Sequence, residues 1–235
     1  MPPVLLSYYL ASTRGISLLS GKNVLELGSG VGLPGFVASN FANKVLLTDG
    51  NDFVVECILK RSVSFYNTNM TESVVIQSSS CDSRNNISVR QFVWGDKEQL
   101  KYILEDFGSV DVIVAADVVQ WPSVLEPLLN SCKALLWKST RPFLVLGLVQ
   151  RAQSTYREFF KLAKQLGFVW EKVCYNNFLP GGVLPEACQE YGVGKPEIYE
   201  FQLTSRLNPP ILLNNVADEK ILVTGSKYQF SSLPC

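Results

Sequence analysis

VLELGSGVGLPG, from residue 24 to residue 35, joins a short apolar run to glycines at positions 28, 30, 32 and 35. Glycines directly after a first strand allow the backbone to turn sharply into a helix. The amide groups at the start of such a helix then face a ligand at the carboxyl edge of a sheet. The segment therefore predicts a nucleotide-type binding crevice after the first strand.

Strands and helices are predicted to alternate outward from this turn. Ahead of it, residues 4–12 predict a helix that ends at Arg14 and Gly15. The polar residues 67–90 predict a surface loop beside a strand at 74–76. The other patterns predict strands at 22–27, 44–49, 89–94, 110–119, 143–149, 168–174 and 198–204. They predict helices at 33–41, 52–67, 156–166 and, starting late or bent because of Pro127, 125–136, and a short helical turn at 102–108.

Five strands that alternate with helices imply a parallel sheet covered on both faces, because parallel neighbours need crossover connections. The last two predicted strands have no helix between them and are expected to pair as a hairpin. We therefore expect an α/β, Rossmann-like, doubly wound fold with a mostly parallel seven-stranded sheet and a C-terminal antiparallel hairpin. Residues 1–204 are assigned to one domain, and residues 205–235 to a tail packed on it or trailing from it.

The composition narrows the classes of function. The 21 basic residues balance the 21 acidic residues, so there is no strong nucleic-acid signature. The chain contains no histidine, which removes the commonest general base and the commonest metal ligand. Hydrolysis by a Ser-His-Asp triad and zinc bound by histidine are therefore disfavoured, and no metal is expected.

The six cysteines lack a C-x-x-C spacing and are interpreted as free thiols in a reducing compartment. The N-terminal MPPVLLSYYLAS has no basic leader and no evident cleavage site. No uninterrupted apolar run approaches the roughly 18 residues that a membrane span needs. We therefore expect a cytoplasmic protein, with the nucleus as a second location and no membrane partner.

The glycines alone do not separate NAD from S-adenosylmethionine (SAM). Gly30, Gly32 and Gly35 satisfy the dinucleotide spacing G-x-G-x-x-G, although two residues further from the strand. Glu26 is expected at the mouth of the crevice, where a carboxylate repels a pyrophosphate and attracts the ammonium and sulfonium groups of SAM. Asp49 ends the second strand and is placed to accept hydrogen bonds from ribose hydroxyls of either cofactor. For each acid alone, a purely structural role at a strand end is an equal alternative.

Four segments together resemble the seven-strand SAM-dependent methyltransferases: VLELGSGVGLPG, TDG at 48–50, VWGD at 93–96 and DVIVAADVV at 111–119. They are most similar to the protein-lysine methyltransferases often called methyltransferase family 16, over about residues 4–204. The resemblance implies a SAM-dependent enzyme that methylates a lysine side chain of a protein substrate.

The resemblance also implies roles for particular residues. In that family the glycine turn lines the methionine part of the cofactor, the acid after the second strand holds the ribose, and a tryptophan after the third strand packs near the adenine. A residue of the fourth strand contributes backbone beside the cofactor. With the acid of the first strand, the cofactor-binding candidates are Glu26, Gly28, Ser29, Gly30, Gly32, Asp49, Trp94 and Ala116.

The catalytic candidates are Asp117 and Trp121. Asp117 begins the family's D-x-x-Y element, but Gln120 stands at the tyrosine position and Trp121 follows it. The aromatic wall beside the target amine is therefore missing, displaced or supplied by Trp121. A lysine must lose a proton before it accepts a methyl group, and Asp117 is the candidate that orients this proton. A structural role at the strand end is an equal alternative for Asp117.

Two departures from the family pattern, Gln120 at the tyrosine position and the N-terminal segment, leave other interpretations open. The family carries an N-terminal segment with a tryptophan that is not found before MPPVLL, which favours an N-terminally shortened domain with a less enclosed cofactor site. The alternatives are a methyltransferase that acts on a small molecule or nucleic acid, and a catalytically silent interaction protein that binds SAM.

Overall fold

The computed structural model describes residues 1–73, 86–189, 194–204 and 209–213. No helix in these ranges combines the length and the apolar character needed to cross a membrane. The described strands are β1 (Asn23–Leu27), β2 (Lys44–Asp49), β3 (Ile87–Gln91), β4 (Val112–Ala116), β5 (Phe143–Leu148), β6 (Phe168–Val173) and β7 (Glu197–Leu203). The described helices are α1 (Pro2–Leu10), α2 (Thr13–Leu19), α3 (Leu33–Ser39), α4 (Lys60–Ser73, preceded by a π-helical segment Val54–Leu59), α5 (Lys97–Asp106), α6 (Pro122–Leu136), α7 (Gln153–Gln165) and α8 (Glu186–Gln189).

The described strands form one sheet in the order β3-β2-β1-β4-β5-β7-β6. The pairs from β3 to β5 are all parallel. β7 pairs antiparallel with both β5 and β6. The predicted mostly parallel sheet with a C-terminal antiparallel hairpin is therefore confirmed, with β7 lying between β5 and β6.

Each face of the sheet supports its own hydrophobic cluster. Leu25 and Ile113 belong to the cluster that α5, α6 and α7 cover, whereas Val24 and Val112 belong to the cluster under α1, α2 and α3. Successive side chains of a strand point to opposite faces, so strands covered on both faces are apolar throughout. Both faces are thus filled, and the carboxyl edge of β1, β2 and β4 is left for a ligand.

The N-terminal segment is two helices instead of one. α1 ends at Leu10, and the Ser12 hydroxyl caps α2 by accepting a hydrogen bond from the Gly15 N–H at 3.2 Å. A Cβ added at Gly15 would lie 2.2 Å from the carbonyl oxygen of Tyr9. The prediction that Arg14 and Gly15 end a helix was therefore wrong, because Gly15 allows close approach of α2 to α1.

A buried carboxylate joins these two helices to the sheet. Glu200 of β7 is buried and accepts hydrogen bonds from the Tyr9 hydroxyl and from the Arg14 Nε and Nη2, the latter two at 3.1 and 2.6 Å. Burial, with the carboxylate beside it, raises the pKa of Tyr9 and keeps its phenol protonated as a donor. α1 and α2 are thereby held against the last described strand.

Two boundaries before β4 differ from the prediction. β3 covers Ile87–Gln91, so Phe92 and Trp94 follow the strand instead of belonging to it. α5 is a full helix, because the Asp96 side chain caps it by accepting a hydrogen bond from the Gln99 N–H at 3.0 Å. The shift of β3 releases the segment with Trp94 from the sheet and allows it to approach the glycine turn.

Two helices are longer than predicted. α6 begins at Pro122. Proline is tolerated in the first turn of a helix because the N–H groups there have no partner within the helix, and α6 continues past Pro127. α4 continues to Ser73, where a loop was predicted from residue 67. The predicted strand at 74–76 lies outside the described residues.

Among the described cysteines, the expectation of free thiols was wrong for Cys174. Cys57, Cys132 and Cys188 carry free thiols, whereas Cys174 is disulfide-bonded. Spacing along the chain does not show which cysteine side chains approach one another, since a disulfide depends on the distance between residues in space.

Candidate functional site

A cavity of about 330 Å³ opens at the carboxyl edge of the sheet, where β1, β2 and β4 end. Six of the residues singled out from the sequence line it: Gly28, Asp49, Trp94, Ala116, Asp117 and Trp121. The volume lies within the usual range for small-molecule sites, about 300–1,000 Å³. The structure thus brings together residues from the ends of β1, β2 and β4 and from the segment after β3, which are far apart in the sequence.

The glycine turn takes backbone angles that side chains disfavour. Gly28, Gly30 and Gly32 have φ values of 62°, 55° and 83°, in the left-handed region that favours glycine. A Cβ added at Gly30 would meet no atom within 4 Å, whereas one at Gly32 would meet Leu47 at 3.1 Å. Gly30 therefore faces open space, while Gly32 packs against the core at the start of α3.

Ser29 is a structural part of the turn in this arrangement. Its N–H donates to the Thr48 carbonyl oxygen at 2.9 Å, and its hydroxyl accepts from the Thr48 N–H at 3.1 Å. Ser29 is buried and, like Gly30 and Gly32, is not among the residues that line the cavity. These two bonds lock the turn after β1 to β2.

Glu26 lies behind the turn instead of at the mouth of the crevice. Its side chain is 2% exposed, and its Oε2 accepts a hydrogen bond from the Gly35 N–H of α3 at 3.0 Å. Burial raises the pKa of Glu26 to about 8, against the hydrogen bond, which lowers it. The expected position was therefore wrong, and a contact between Glu26 and a cofactor stays a prediction.

Asp49 is placed at the cavity with spare acceptor capacity. Its Oδ2 accepts from the Gly30 N–H at 3.1 Å, and its Oδ1 accepts from the Asn51 N–H at 3.0 Å. An ionised carboxylate offers about four acceptor positions. The two N–H groups fix the orientation of the carboxylate and leave about two positions for hydroxyl donors of a ligand.

Trp94 forms an aromatic wall beside the glycine turn. A Cβ added at Gly28 would lie 3.4 Å from Cζ2 of the Trp94 ring and 3.0 Å from Cγ1 of Val118. The indole ring therefore lies against bare backbone. A flat ring beside the cavity suits stacking of a planar base.

Asp117 follows β4 and is held at three points. It is the one non-glycine residue with positive φ in the described part of the chain, at 58°. Its N–H donates to the Gly147 carbonyl oxygen at 2.9 Å, and its own carbonyl oxygen accepts from Gln120 Nε2 at 2.7 Å. Its carboxylate receives Arg151 Nε at 3.1 Å and Nη2 at 2.5 Å. The side-chain amide of Gln120 thus helps to hold the backbone of Asp117, three residues before it.

Trp121 stands at the rim of the cavity. Its side chain is 63% exposed, and it directly precedes α6 as the N-cap residue. An exposed tryptophan beside a cavity is a common contact residue for a partner molecule. Its location is compatible with the aromatic role considered for it.

Sequence reasoning missed several residues of the site. Arg151 follows β5 and was not singled out, although a basic residue after a strand of the same sheet edge was a usable signal. Gln120 was noted only as a departure from a pattern. The other missed residues line the cavity mainly with apolar atoms and backbone: Gly50, Phe92, Val93, Val118 and Val124.

The cavity wall carries acidic groups. Among the described residues that line it, Asp49 and Asp117 are acids and none is basic. A phosphate chain would be repelled by the Asp49 carboxylate and a cationic ligand attracted by it, whereas the charge of Asp117 is offset by Arg151. Within the described ranges no cluster of three or more histidine, cysteine, aspartate or glutamate residues is arranged to hold a metal ion.

Comparison with known families gives a match over most of the fold. The model of a family described as lysine methyltransferase matches residues 3–166. The protein N-terminal and lysine N-methyltransferase efm7 of Aspergillus fumigatus is 29% identical over 179 residues, which are 68% of this chain and 61% of that protein. The protein N-lysine methyltransferase METTL21A of Xenopus tropicalis is 31% identical over 128 residues, 54% of this chain and 49% of that protein. The chain thus spans less than two thirds of the length of either relative.

A solved structure shows the same fold. SMU.1697c from Streptococcus mutans, in complex with S-adenosylhomocysteine (SAH), superposes with a TM-score of 0.52 at 14% identity. The superposition covers 85% of this chain and 97% of that chain. At this identity the likeness concerns the arrangement of the sheet and its helices.

Proposed function

The chain belongs to the lysine methyltransferase family, and we propose that it transfers a methyl group from SAM to a lysine side chain of a protein. The observation that carries the cofactor assignment is the charge of the cavity: its described lining holds the Asp49 carboxylate and no base, and its second acid, Asp117, is paired with Arg151. The names of the relatives support a lysine of a protein as the acceptor.

The residues of the cavity fit an adenine nucleoside with a positive charge. The Asp49 carboxylate has acceptor positions left for the two ribose hydroxyls, because the N–H groups of Gly30 and Asn51 use only two. The Trp94 ring offers a flat surface for the adenine. The open space at Gly30 leaves room for a ligand to approach the backbone closely.

The Asp49 carboxylate at the wall favours SAM over NAD. The pyrophosphate of NAD would lie near Asp49 without a basic residue of the described lining to offset the repulsion, whereas Arg151 offsets the charge of Asp117. When bound, SAM would supply the methyl group. The bond from the methyl carbon to the sulfonium sulfur would break with its electron pair passing to sulfur, while the lone pair of the acceptor nitrogen forms the new bond to that carbon.

On the acceptor side, the chain's main task is alignment of a neutral amine. Ala116 ends β4 at the cavity, Asp117 follows it, and the Trp121 ring lies at the rim. We propose that Trp121 contacts the acceptor from its exposed position, and that Asp117 orients the amine from the wall. The proton of the amine leaves to water, since the mouth is open at exposed Trp121.

Residues 1–204 are proposed as the methyltransferase domain, with the tail packed on it. The packing of residues 209–213 supports this: Pro210 is buried, and Leu212 and Leu213 lie against the hydrophobic cluster under α6. The remainder of the tail lies outside the described residues.

Calorimetry tests the cofactor. We expect saturable binding of SAM and of SAH and no binding of NAD. Asp52→Ala serves as a control variant beside the wild type. Asp52 is an exposed acid three residues after Asp49, and its loss should leave SAM binding unchanged. Binding of NAD without binding of SAM would overturn the assignment.

Incubation with methyl-labelled SAM tests the acceptor. Cell extract is incubated with the protein, split into protein, RNA and metabolite fractions, and the modified residues are identified by mass spectrometry. We expect label on lysine in the protein fraction. Label confined to RNA or metabolites would instead support the small-molecule or nucleic-acid alternative. Firm SAM binding without any transfer would support the silent alternative, which the Gln120 substitution at the tyrosine position favours.

A further inference from the structure

Arg151 holds the carboxylate that faces the proposed acceptor. Its guanidinium donates from both Nε and Nη2 to the two carboxylate oxygens of Asp117, at 3.1 and 2.5 Å. Such a two-point bond fixes the plane and the direction of a carboxylate as well as its charge. The side chains are 34% and 21% exposed, so the pair lies at the border between cavity and solvent.

The pair joins the ends of two neighbouring strands. β4 and β5 run parallel, with Ala116 beside Gly147 in the register, and Asp117 and Arg151 follow them. Asp117 also keeps a left-handed backbone with φ of 58°, a conformation that costs free energy for a residue with a side chain. The bonds from Gly147, Gln120 and Arg151 together define this conformation.

The charge of the pair affects the acceptor amine. An unpaired carboxylate beside a lysine favours the charged ammonium form and raises its pKa, whereas a nearby cation lowers it. Methyl transfer needs the neutral amine, because only the neutral form has a free lone pair. Arg151 offsets the charge of Asp117 and so removes most of the preference for the ammonium form.

The described charged groups near this edge also include Lys195, an exposed cation that follows Gly194, and a Cβ added at Gly194 would lie 3.8 Å from the carbonyl oxygen of Gln150. Asp49 lies at the end of β2 on the far wall of the cavity. Glu197 begins β7 beside the end of β5, where it is paired with Lys172 of β6 and accepts a hydrogen bond from Tyr156 of α7. Among the described residues, Arg151 is the cation that forms the ion pair with Asp117.

We infer that Arg151 is a positioning residue, which holds Asp117 and cancels its charge so that a lysine in the site loses its proton more readily. This inference rests on the proposed function.

A binding measurement tests the inference without turnover. Two peptides are titrated into the SAH complex at pH 7: one copies the lysine segment identified in the extract, and the other carries norleucine in place of that lysine. In Arg151→Gln the unpaired Asp117 should bind the ammonium more tightly, with an affinity about ten-fold higher for the lysine peptide and unchanged for the norleucine peptide. Equal effects on both peptides, or none, would overturn the inference.

The pH profile of kcat at saturating SAM and lysine peptide gives a second readout, since kcat reports groups in the bound complex. Arg151→Gln should move the midpoint up by roughly one pH unit, Arg151→Lys should restore it, and Asp117→Asn should move it down. Arg90→Gln is the matched control, because Arg90 pairs with Asp106 on the surface, at 38% and 59% exposure.

Three outcomes distinguish a failure of the proposed function from a failure of the role inferred for Arg151. A wild-type protein that binds SAM but methylates no lysine would overturn the proposed function and this inference together. A wild-type protein that is active, with the same midpoint in Arg151→Gln and Asp117→Asn, would overturn this inference alone. A lower melting temperature in Arg151→Gln with an unshifted midpoint would show a merely structural ion pair and would likewise overturn it.

Discussion

The ring of Trp94 lies against the backbone of Gly28, close enough that a Cβ on that glycine would be 3.4 Å from Cζ2 of the indole. Gly28→Ala should therefore weaken SAM binding at least about ten-fold, because the methyl group would also meet Val118 at 3.0 Å and the φ of 62° disfavours a side chain. Calorimetry measures the change. Gly21→Ala is the matched control, since Gly21 has φ of 68° and no atom within 4 Å. Equal losses in both variants would contradict the role of the ring contact.

Asp49 should contribute strongly to SAM affinity. Asp49→Ala removes the acceptor proposed for the ribose hydroxyls and the partner of the Gly30 and Asn51 N–H groups. We expect a Kd about 10- to 100-fold higher, as for the loss of hydrogen bonds to a charged group. Calorimetry beside Asp52→Ala provides the comparison. An unchanged Kd in Asp49→Ala would exclude the ribose role.

Trp121 should affect the protein substrate more than the cofactor. Trp121→Ala is expected to raise KM for the lysine peptide about ten-fold, which corresponds to about 1.4 kcal/mol of binding, with the Kd of SAM within about two-fold. Steady-state kinetics and calorimetry measure the two effects. Tyr102→Ala, which removes a 53% exposed ring from α5, should change neither. A Trp121→Ala variant with wild-type KM would show that the acceptor lies elsewhere.

Glu26 should make stability depend on pH. Burial raises its pKa from 4.5 to about 8, so the folded protein keeps a proton that the unfolded chain releases above about pH 4.5. The free energy of unfolding should therefore fall as the pH rises from about 4.5 to 8, by up to about 1.4 kcal/mol per pH unit. Glu26→Gln should lose this slope.

Urea denaturation at pH 5, 6.5 and 8 compares the slopes. The exposed Glu56→Gln serves as the control, because Glu56 pairs with Lys60 at the surface and should keep the wild-type slope. The same slope in Glu26→Gln and in the wild type would show that Glu26 is ionised in the folded protein.

Much of the sheet could be predicted because local sequence determines it. β1, β2 and β5 are short apolar runs bounded by polar residues or glycine, and the alternation with helices implies parallel pairing. The boundary of β3 could not be found in this way. Phe92 and Trp94 are apolar like the strand before them; the Phe92 N–H still donates to the Asp49 carbonyl oxygen of β2 at 2.9 Å, whereas the Trp94 ring packs against the glycine turn.

The site was predictable where a residue type has a local cause. Asp49 could be found because it ends an apolar strand at the ligand edge. Glu26 was expected at the same edge, but its side chain turns under α3 to accept the Gly35 N–H, a tertiary contact that spacing does not encode. Arg151 lies 34 positions beyond Asp117, so their contact follows only from the register between β4 and β5.

The position of β7 inside the sheet has a consequence for synthesis on the ribosome. β5 and β6 are both made before β7, yet neither pairs with the other. Until residues 197–203 have emerged from the exit tunnel, β5 has an unpaired apolar edge, and Glu200 is not there to receive Tyr9 and Arg14. Until its last described strand is made, the nascent chain is therefore incompletely folded, and the unpaired edge of β5 favours aggregation.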